Sequence, residues 1–120
     1  MRRSWLICGI MILSGCDGIM WPGMACTTEA RPGLSVTVLD ASTGLLLTGG
    51  SVIAREGAYA DTARSFIPAS YPLAYERPGK YDVSVDVPGF QLWSKSGVAV
   101  RRDGCHVVTV QLDARLISQK

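Results

Sequence analysis

Strict alternation over seven residues, Tyr81 to Val87, constrains this chain more than anything else in it. Tyr81, Val83, Val85 and Val87 are apolar, and Asp82, Ser84 and Asp86 between them are polar. Side chains along a β-strand point to opposite faces in turn, so the pattern makes one apolar face and one wet face. Pro78-Gly79 opens the segment and Pro88-Gly89 closes it. Proline has no N–H for a ladder, and glycine allows the bend that follows. The segment is a half-buried strand, and the remaining chain is expected to pack other strands around it.

Similar patterns occur on either side. Leu34 to Asp40 alternates and predicts a strand, and Ser42-Thr43-Gly44 predicts a turn. Leu45-Leu46-Leu47 is either a short strand or apolar loop cover. Ser51 to Glu56 predicts a strand with Val52 and Ala54 on one face. Gly57 to Ser70 has the least pattern, and its Tyr59 and Phe66 are candidates to cap an end of the core. Tyr71 to Tyr75 predicts a weaker strand, Gln91 to Ser94 a continuation past the Pro88-Gly89-Phe90 bend, and Val98 to Arg101 a short strand. Asp103-Gly104 is a hairpin signal. Cys105 to Asp113 then predicts the last strand, with Val108, Val110 and Leu112 on the core face. No helical stripe and no internal repeat are present. About seven short strands at this spacing predict an all-β fold, a small Greek-key-type β-sandwich.

Composition agrees and removes some function classes. At 120 residues the chain is one domain by length, and 48% apolar with 18% charged residues is too apolar for disorder. Six prolines and thirteen glycines, spread between Val-rich runs, punctuate it as turns. The net charge of +2 equals the charge of Arg2 and Arg3, so the rest balances to zero. No basic field is left to gather nucleic acid, and none is expected as a partner.

The N-terminus reads as a leader. Met1-Arg2-Arg3 is basic, and Trp5 to Leu13 is an apolar run of nine residues, against the ~20 a membrane-spanning helix needs. That is the pattern of a secretory signal peptide. Its end, Leu13-Ser14-Gly15-Cys16, resembles a bacterial lipobox. In a lipobox the small residues fit a peptidase site, and the cysteine thiol receives the diacylglyceryl group and becomes the new N-terminus. The resemblance implies residues 1–15 as signal peptide, lipidation of Cys16 with fatty acyl chains such as palmitate, and a lipid-anchored, periplasm-facing place in the cell envelope. The alternative is an ordinary signal peptide in which Cys16 is incidental. Two or more acyl chains hold a protein stably, and one holds it marginally. Asp17 resembles an inner-membrane retention signal of enteric bacteria, a rule that varies between lineages. Residues 16–32 form the tether; Trp21 there either sits among headgroups or packs on the domain.

Four cysteines remain to be placed. Cys8 leaves with the leader and Cys16 is modified. Cys26 and Cys105 are left as an even pair in an oxidising compartment, which predicts a disulfide. It would close a loop of about 80 residues and stabilise by roughly 4 kcal/mol in the chain-entropy account. Two free thiols or a metal pair are the alternatives, and two cysteines with one histidine fall short of a closed zinc site.

Several segments together resemble a known family. Val36-Thr37-Val38 with Asp40, Thr43 and Gly44 is similar to the opening of carboxypeptidase regulatory-like domains, whose prealbumin-like sandwich transthyretin shares. Glu76 to Tyr81 and Val87-Pro88-Gly89-Phe90 resemble that family's Gly-x-Tyr strand and its Pro-Gly-aromatic ending, with Phe90 where Tyr is frequent. Cys105 to Thr109 through Leu112 resembles the closing strand of small bacterial members. The resemblance covers residues 34–116, and the sandwich domain is placed at 33–116. It implies a module without catalytic residues of its own, used for adhesion, carbohydrate association, spacing, or service beside a catalytic domain.

Residues suited to chemistry are few. His106 is the single histidine, so any Ser-His-Asp or Cys-His arrangement must use it. Read on the apolar side of the last strand, it is expected to be a core or edge histidine with one hydrogen bond. Hydroxyisourate hydrolases, the enzymes among prealbumin-like folds, use several His and Arg and a Tyr-Arg-Gly-Ser-type tail, which Leu116-Ile117-Ser118-Gln119-Lys120 does not match. Asp82 and Asp86 point outward on one strand and read as a solvated face, with acid–base work or calcium as the sharper alternatives. Arg101-Arg102 reads as solvated charge. Trp93, Tyr71 and Tyr75 could make a sugar-stacking platform, or pack on the core and rim. Gly49-Gly50 lacks the Lys-Ser/Thr of a phosphate loop. No cofactor, metal or catalytic residue is expected. The expected function is a membrane-anchored, non-catalytic lipoprotein module that binds or spaces an envelope protein or glycan. The alternative is an accessory subunit of an envelope hydrolase or peptidase.

Overall fold

The computed structural model of the chain describes residues 26–64 and 70–119. Residues 1–15, read above as a signal peptide, and Cys16, Asp17, Trp21 and Phe66 lie outside the described residues. All regular structure among the described residues is β. One sheet has the order β4-β1-β9, with β1 at Leu34–Asp40, β4 at Ser70–Leu73 and β9 at Val110–Leu116. The other has the order β3-β2-β5-β6, with β2 at Ser51–Glu56, β3 at Tyr59–Arg64, β5 at Gly79–Asp86 and β6 at Trp93–Val100. A small ribbon pairs β7, Arg102–Asp103, with β8, His106–Val107. The chain changes sheets after β1, after β3, after β4 and again between β6 and β9. The result is a small β-sandwich with more strands than the sequence suggests, because two of them are only two residues long.

The alternation of Tyr81 to Val87 holds as read. Tyr81, Val83, Val85 and Val87 are buried while Asp82 and Asp86 are exposed. They face Leu34, Val36 and Val38 of β1 and Leu112, Ala114 and Leu116 of β9 in one continuous apolar core. β1 and β9 run parallel, from Leu34↔Val110 to Asp40↔Leu116, and every other pairing within the two main sheets is antiparallel. At the far end of β1, Leu45 to Leu47 takes over from β4 as its neighbour: Asp40 N–H donates to Leu45 O at 2.9 Å and Leu47 N–H to Val38 O at 2.9 Å. The ambiguous leucines are thus loop cover with a single bridge, Leu39↔Leu46.

Three expectations change. The stretch from Gly57 onward contains a strand, β3, joined to β2 by a tight turn at Gly57, whose φ is 58°. Its inward positions are Tyr59, Asp61 and Ala63, a weak apolar signal that hides the period. The predicted strands at 91–94 and 98–101 are one strand, β6. Its register against β5 shifts between Tyr81 and Val83, and Gly97 there has φ 68°, the left-handed conformation that a glycine bulge uses. The predicted last strand is broken. β8 buries Val107, Val108 is only half-buried, and the buried phase resumes at Leu112. Val108 N–H is taken by Arg101 O at 2.9 Å, and Thr109 Oγ1 donates to Pro32 O at 2.7 Å. These two bonds turn the chain between β8 and β9 and reset which side chains face inward.

Candidate functional site

The polar residues that converge do so where the N-terminal segment meets the sandwich. Cys26 and Cys105 are joined by a disulfide with Cα atoms 5.3 Å apart, across 79 residues of sequence. Residues 26–32, expected as tether, are therefore fastened to the domain. Gly33 follows in a close fit, where a Cβ would stand 2.8 Å from Ala74 O.

Glu76 is the centre of this region. It lies in the turn between β4 and β5, with φ 50°, two residues after Ala74 at φ 55°. Such conformations are uncommon without glycine and need fixed surroundings. Here Glu76 N–H donates to Arg31 O at 2.9 Å, Ala74 N–H to Asp61 Oδ2 at 2.8 Å, and Arg77 N–H to Ala74 O at 3.2 Å. The turn aims the Glu76 carboxylate at the N-terminal segment and at β8. Oε2 accepts from Arg31 N–H at 3.0 Å and from His106 Nδ1; Oε1 accepts from Val107 N–H at 3.3 Å. The His106 hydrogen bond, then those from Arg31 and Val107, hold the carboxyl below its ordinary value despite partial burial.

His106 has a second partner. Its Nε2 lies 2.8 Å from Thr27 Oγ1. The expectation of one hydrogen bond on the apolar side is corrected: the break before β9 puts Val107 in the core and leaves His106 half-buried between Glu76 and Thr27. Arg102 closes the end of the group, donating to Cys105 O at 3.2 Å and Glu76 O at 3.0 Å. It is exposed, as read, yet it ties the ribbon to the turn. An open cleft of about 330 Å³ lies beside the imidazole, lined by Arg31, Asp103, His106, Val107, Val108 and Thr109.

A second cluster, around Arg77, is structural. Its Nη1 donates to Glu56 Oε1 at 2.7 Å and to Tyr81 OH at 2.9 Å, and its guanidinium lies 3.7 Å from the Tyr59 ring centroid. Glu56 also accepts Lys80 N–H at 2.8 Å. Lys80 first, then Arg77, hold the Glu56 carboxyl below its ordinary value. A Cβ on Gly79 would stand 2.6 Å from Glu56 Oε1, so the glycine of the Pro-Gly turn makes room for this carboxylate.

The other sequence candidates stay apart. Asp82 accepts Gly97 N–H at 3.2 Å and so fastens the bulge. Asp86 lines a separate shallow groove with Gly49, Gly50 and Arg64. Among the described residues no three His, Cys, Asp or Glu side chains gather as metal ligands would. The aromatic platform is not formed: Tyr71 is fully buried in β4, Trp93 is half-buried against the core, and Tyr75 alone is well exposed. Alternation places Tyr71 inward with Leu73, a signal present in the sequence. Thr27 and Glu76 had no such signal as partners of His106, since they come from an unpatterned segment and a turn. No family model matches this chain, and no curated protein matches it.

Proposed function

We propose that this chain is a membrane-anchored lipoprotein module of the bacterial cell envelope, whose sandwich binds or spaces a partner protein or glycan. The observation that carries this reading is the polarity of the domain. Residues 26–32 are fastened at the end where β1 and β9 begin, through the disulfide, Glu76 and Thr109. Both strands then run seven residues away from it, about 20 Å at ~3.3 Å per residue. At their far end Leu45, Leu46, Leu92 and Ile117 are exposed. Hydrogen bonds knit that end together: Ala41 N–H to Leu116 O at 2.8 Å and Gln91 N–H to Ile117 O at 2.7 Å. Grouped exposed apolar side chains are a mark of interaction surfaces.

A lipid on Cys16 would hold the fastened pole toward the bilayer, ten residues before Cys26. Ten extended residues reach at most about 35 Å. The leucine-rich pole would then face away from the membrane. Membership of the carboxypeptidase regulatory-like group, with its prealbumin-like sandwich, is part of the proposal and rests on the opening, Gly-x-Tyr and closing motifs. Membrane fractionation tests the anchor. The wild-type protein is expected in the membrane fraction, with an intact mass starting at Cys16 plus acyl chains, and Cys16→Ser is expected to lose both. A soluble wild-type product without lipid sinks the reading. A photo-crosslinker at Leu92 is expected to capture an envelope component that one at Lys80 does not.

A further inference from the structure

Thr27, His106 and Glu76 form a line of hydrogen bonds in the atomic order of a nucleophile, base and acid relay. Thr27 Oγ1 is 2.8 Å from Nε2 of His106, and Nδ1 on the other side of the ring meets the Glu76 carboxylate. A carboxylate at Nδ1 keeps the ring proton there and leaves the Nε2 lone pair facing the hydroxyl. Such relays are recognised by geometry and role, whatever the fold. Exposure runs in the direction a relay needs. Thr27 is exposed, while the side chains of His106 and Glu76 are only 14% and 27% exposed. Cys26 adjoins Thr27 and Cys105 adjoins His106, so the disulfide holds hydroxyl opposite imidazole before any ligand arrives. The cleft of about 330 Å³ at the imidazole is at the small end of the range for small-molecule sites.

We infer that Thr27 is an acyl-accepting nucleophile and that this site takes small activated carboxylic esters. Thr27 Oγ1 attacks the carbonyl carbon, and its proton passes to His106 Nε2. The carbonyl π pair moves to oxygen, where Arg31, a lining residue of the cleft beside the imidazole with its Nε on Glu29 Oε2 at 3.3 Å, supplies positive charge from the rest of its guanidinium. The tetrahedral centre collapses, the bond to the alcohol oxygen breaks, and that oxygen takes the proton from Nε2. The Thr27 ester is then hydrolysed by water that gives its proton to the same nitrogen. This releases the carboxylic acid and restores the hydroxyl. Glu76 touches no reacting atom and is a positioning residue. The activity goes beyond the role of an envelope module and does not depend on it.

The probe is 4-nitrophenyl acetate, given to the whole protein purified with its disulfide intact from whichever fraction carries it. Release of 4-nitrophenolate is expected, with one acetyl group mapped to Thr27. Thr27→Val is nearly isosteric at an exposed position, so the fold persists, and the rate is expected to fall ~100-fold or more, as does His106→Ala. Thr27→Ser is expected to retain turnover. For Glu76→Gln kcat is expected to fall with KM little changed, because the carboxylate orients the imidazole and does not touch the ester. Glu29, Arg31, Arg102 and Asp103, charged groups near this site, are unchanged in that variant. A Thr27→Val protein as fast as wild type overturns the proposal, and so does acetylation confined to the lysines, Lys80, Lys95 and Lys120. Both readouts concern Thr27 alone, so they are independent of lipid on Cys16.

Discussion

Two inward tyrosines put the same hydroxyl group to opposite uses. Tyr81 OH donates to Arg77 O at 2.7 Å and accepts from Arg77 Nη1 at 2.9 Å. Tyr71 OH is buried with no partner among the described residues. A buried hydroxyl without a partner forfeits its hydration for nothing, whereas a paired one leaves its partners stranded when removed. Tyr71→Phe is therefore expected to be neutral or stabilising by up to ~1 kcal/mol, and Tyr81→Phe to destabilise by about 1 kcal/mol. Urea unfolding of the chain from residue 17 onward measures both; equal losses would mean that Tyr71 is paired. Glu76 gives a pH dependence. Its folded carboxyl lies below its ordinary value of 4.5, so its contribution is complete above that value and is lost as pH falls through the lower folded one. Glu56 acts with the same sign. Glu76→Gln is expected to be less stable than wild type at pH 7, and the gap in urea midpoint is expected to narrow by pH 3. A gap that stays constant would show that the Glu76 charge is not what stabilises the turn.

At the scale of the element, β5 is the test of the whole sandwich. Val85 is fully buried opposite Val52 on one side and Trp93 on the other. Val85→Asp puts an unpaired charge there and is expected to cost several kcal/mol, a large part of the ~5–15 kcal/mol of a small domain. Ser84→Asp puts the same side chain on the outer face, opposite Ile53 and Ser94, and is expected to cost under ~1 kcal/mol. A slip of one residue would reverse the order. β5, β1 and β2 were legible because each has apolar residues at every second position and turn residues at its ends. β3 was not, because Asp61 occupies an inward position and serves the turn at Ala74 instead of the core. The run from Cys105 to Asp113 misled for a different reason. Its valines at 107, 108 and 110 fit either phase, and the choice was made by Arg101 O and Pro32 O, groups that periodicity does not contain. The candidate site was half legible: the cysteine pair followed from counting, but Thr27 and Glu76 were brought to His106 by the disulfide and by a left-handed turn.

At the scale of the molecule, the disulfide decides whether the N-terminal segment belongs to the folding unit. It spans 79 residues, nearly the whole sandwich, so in the chain-entropy account it restricts the unfolded chain by about 4 kcal/mol. The native state holds residues 26–32 by other means as well: Arg31 N–H to Glu76, Thr27 to His106, and Thr109 to Pro32 O. The core itself, from Leu34 to Leu116, does not include the cysteines. Replacing both Cys26 and Cys105 by alanine is therefore expected to keep the sandwich while lowering its stability by up to ~4 kcal/mol. The unfolded chain, no longer cross-linked, exposes more surface, so the urea m-value is expected to rise as the midpoint falls. Hydrogen exchange locates the effect. Protection at Arg31 N–H, which depends on the fastened segment, is expected to drop more than that at Val36 or Val85. An unchanged midpoint would show that residues 26–32 are appended to the folding unit and not part of it. Equal loss of protection at Arg31 and Val85 would show that segment and sandwich open together, so that the fastened pole is no weaker than the core.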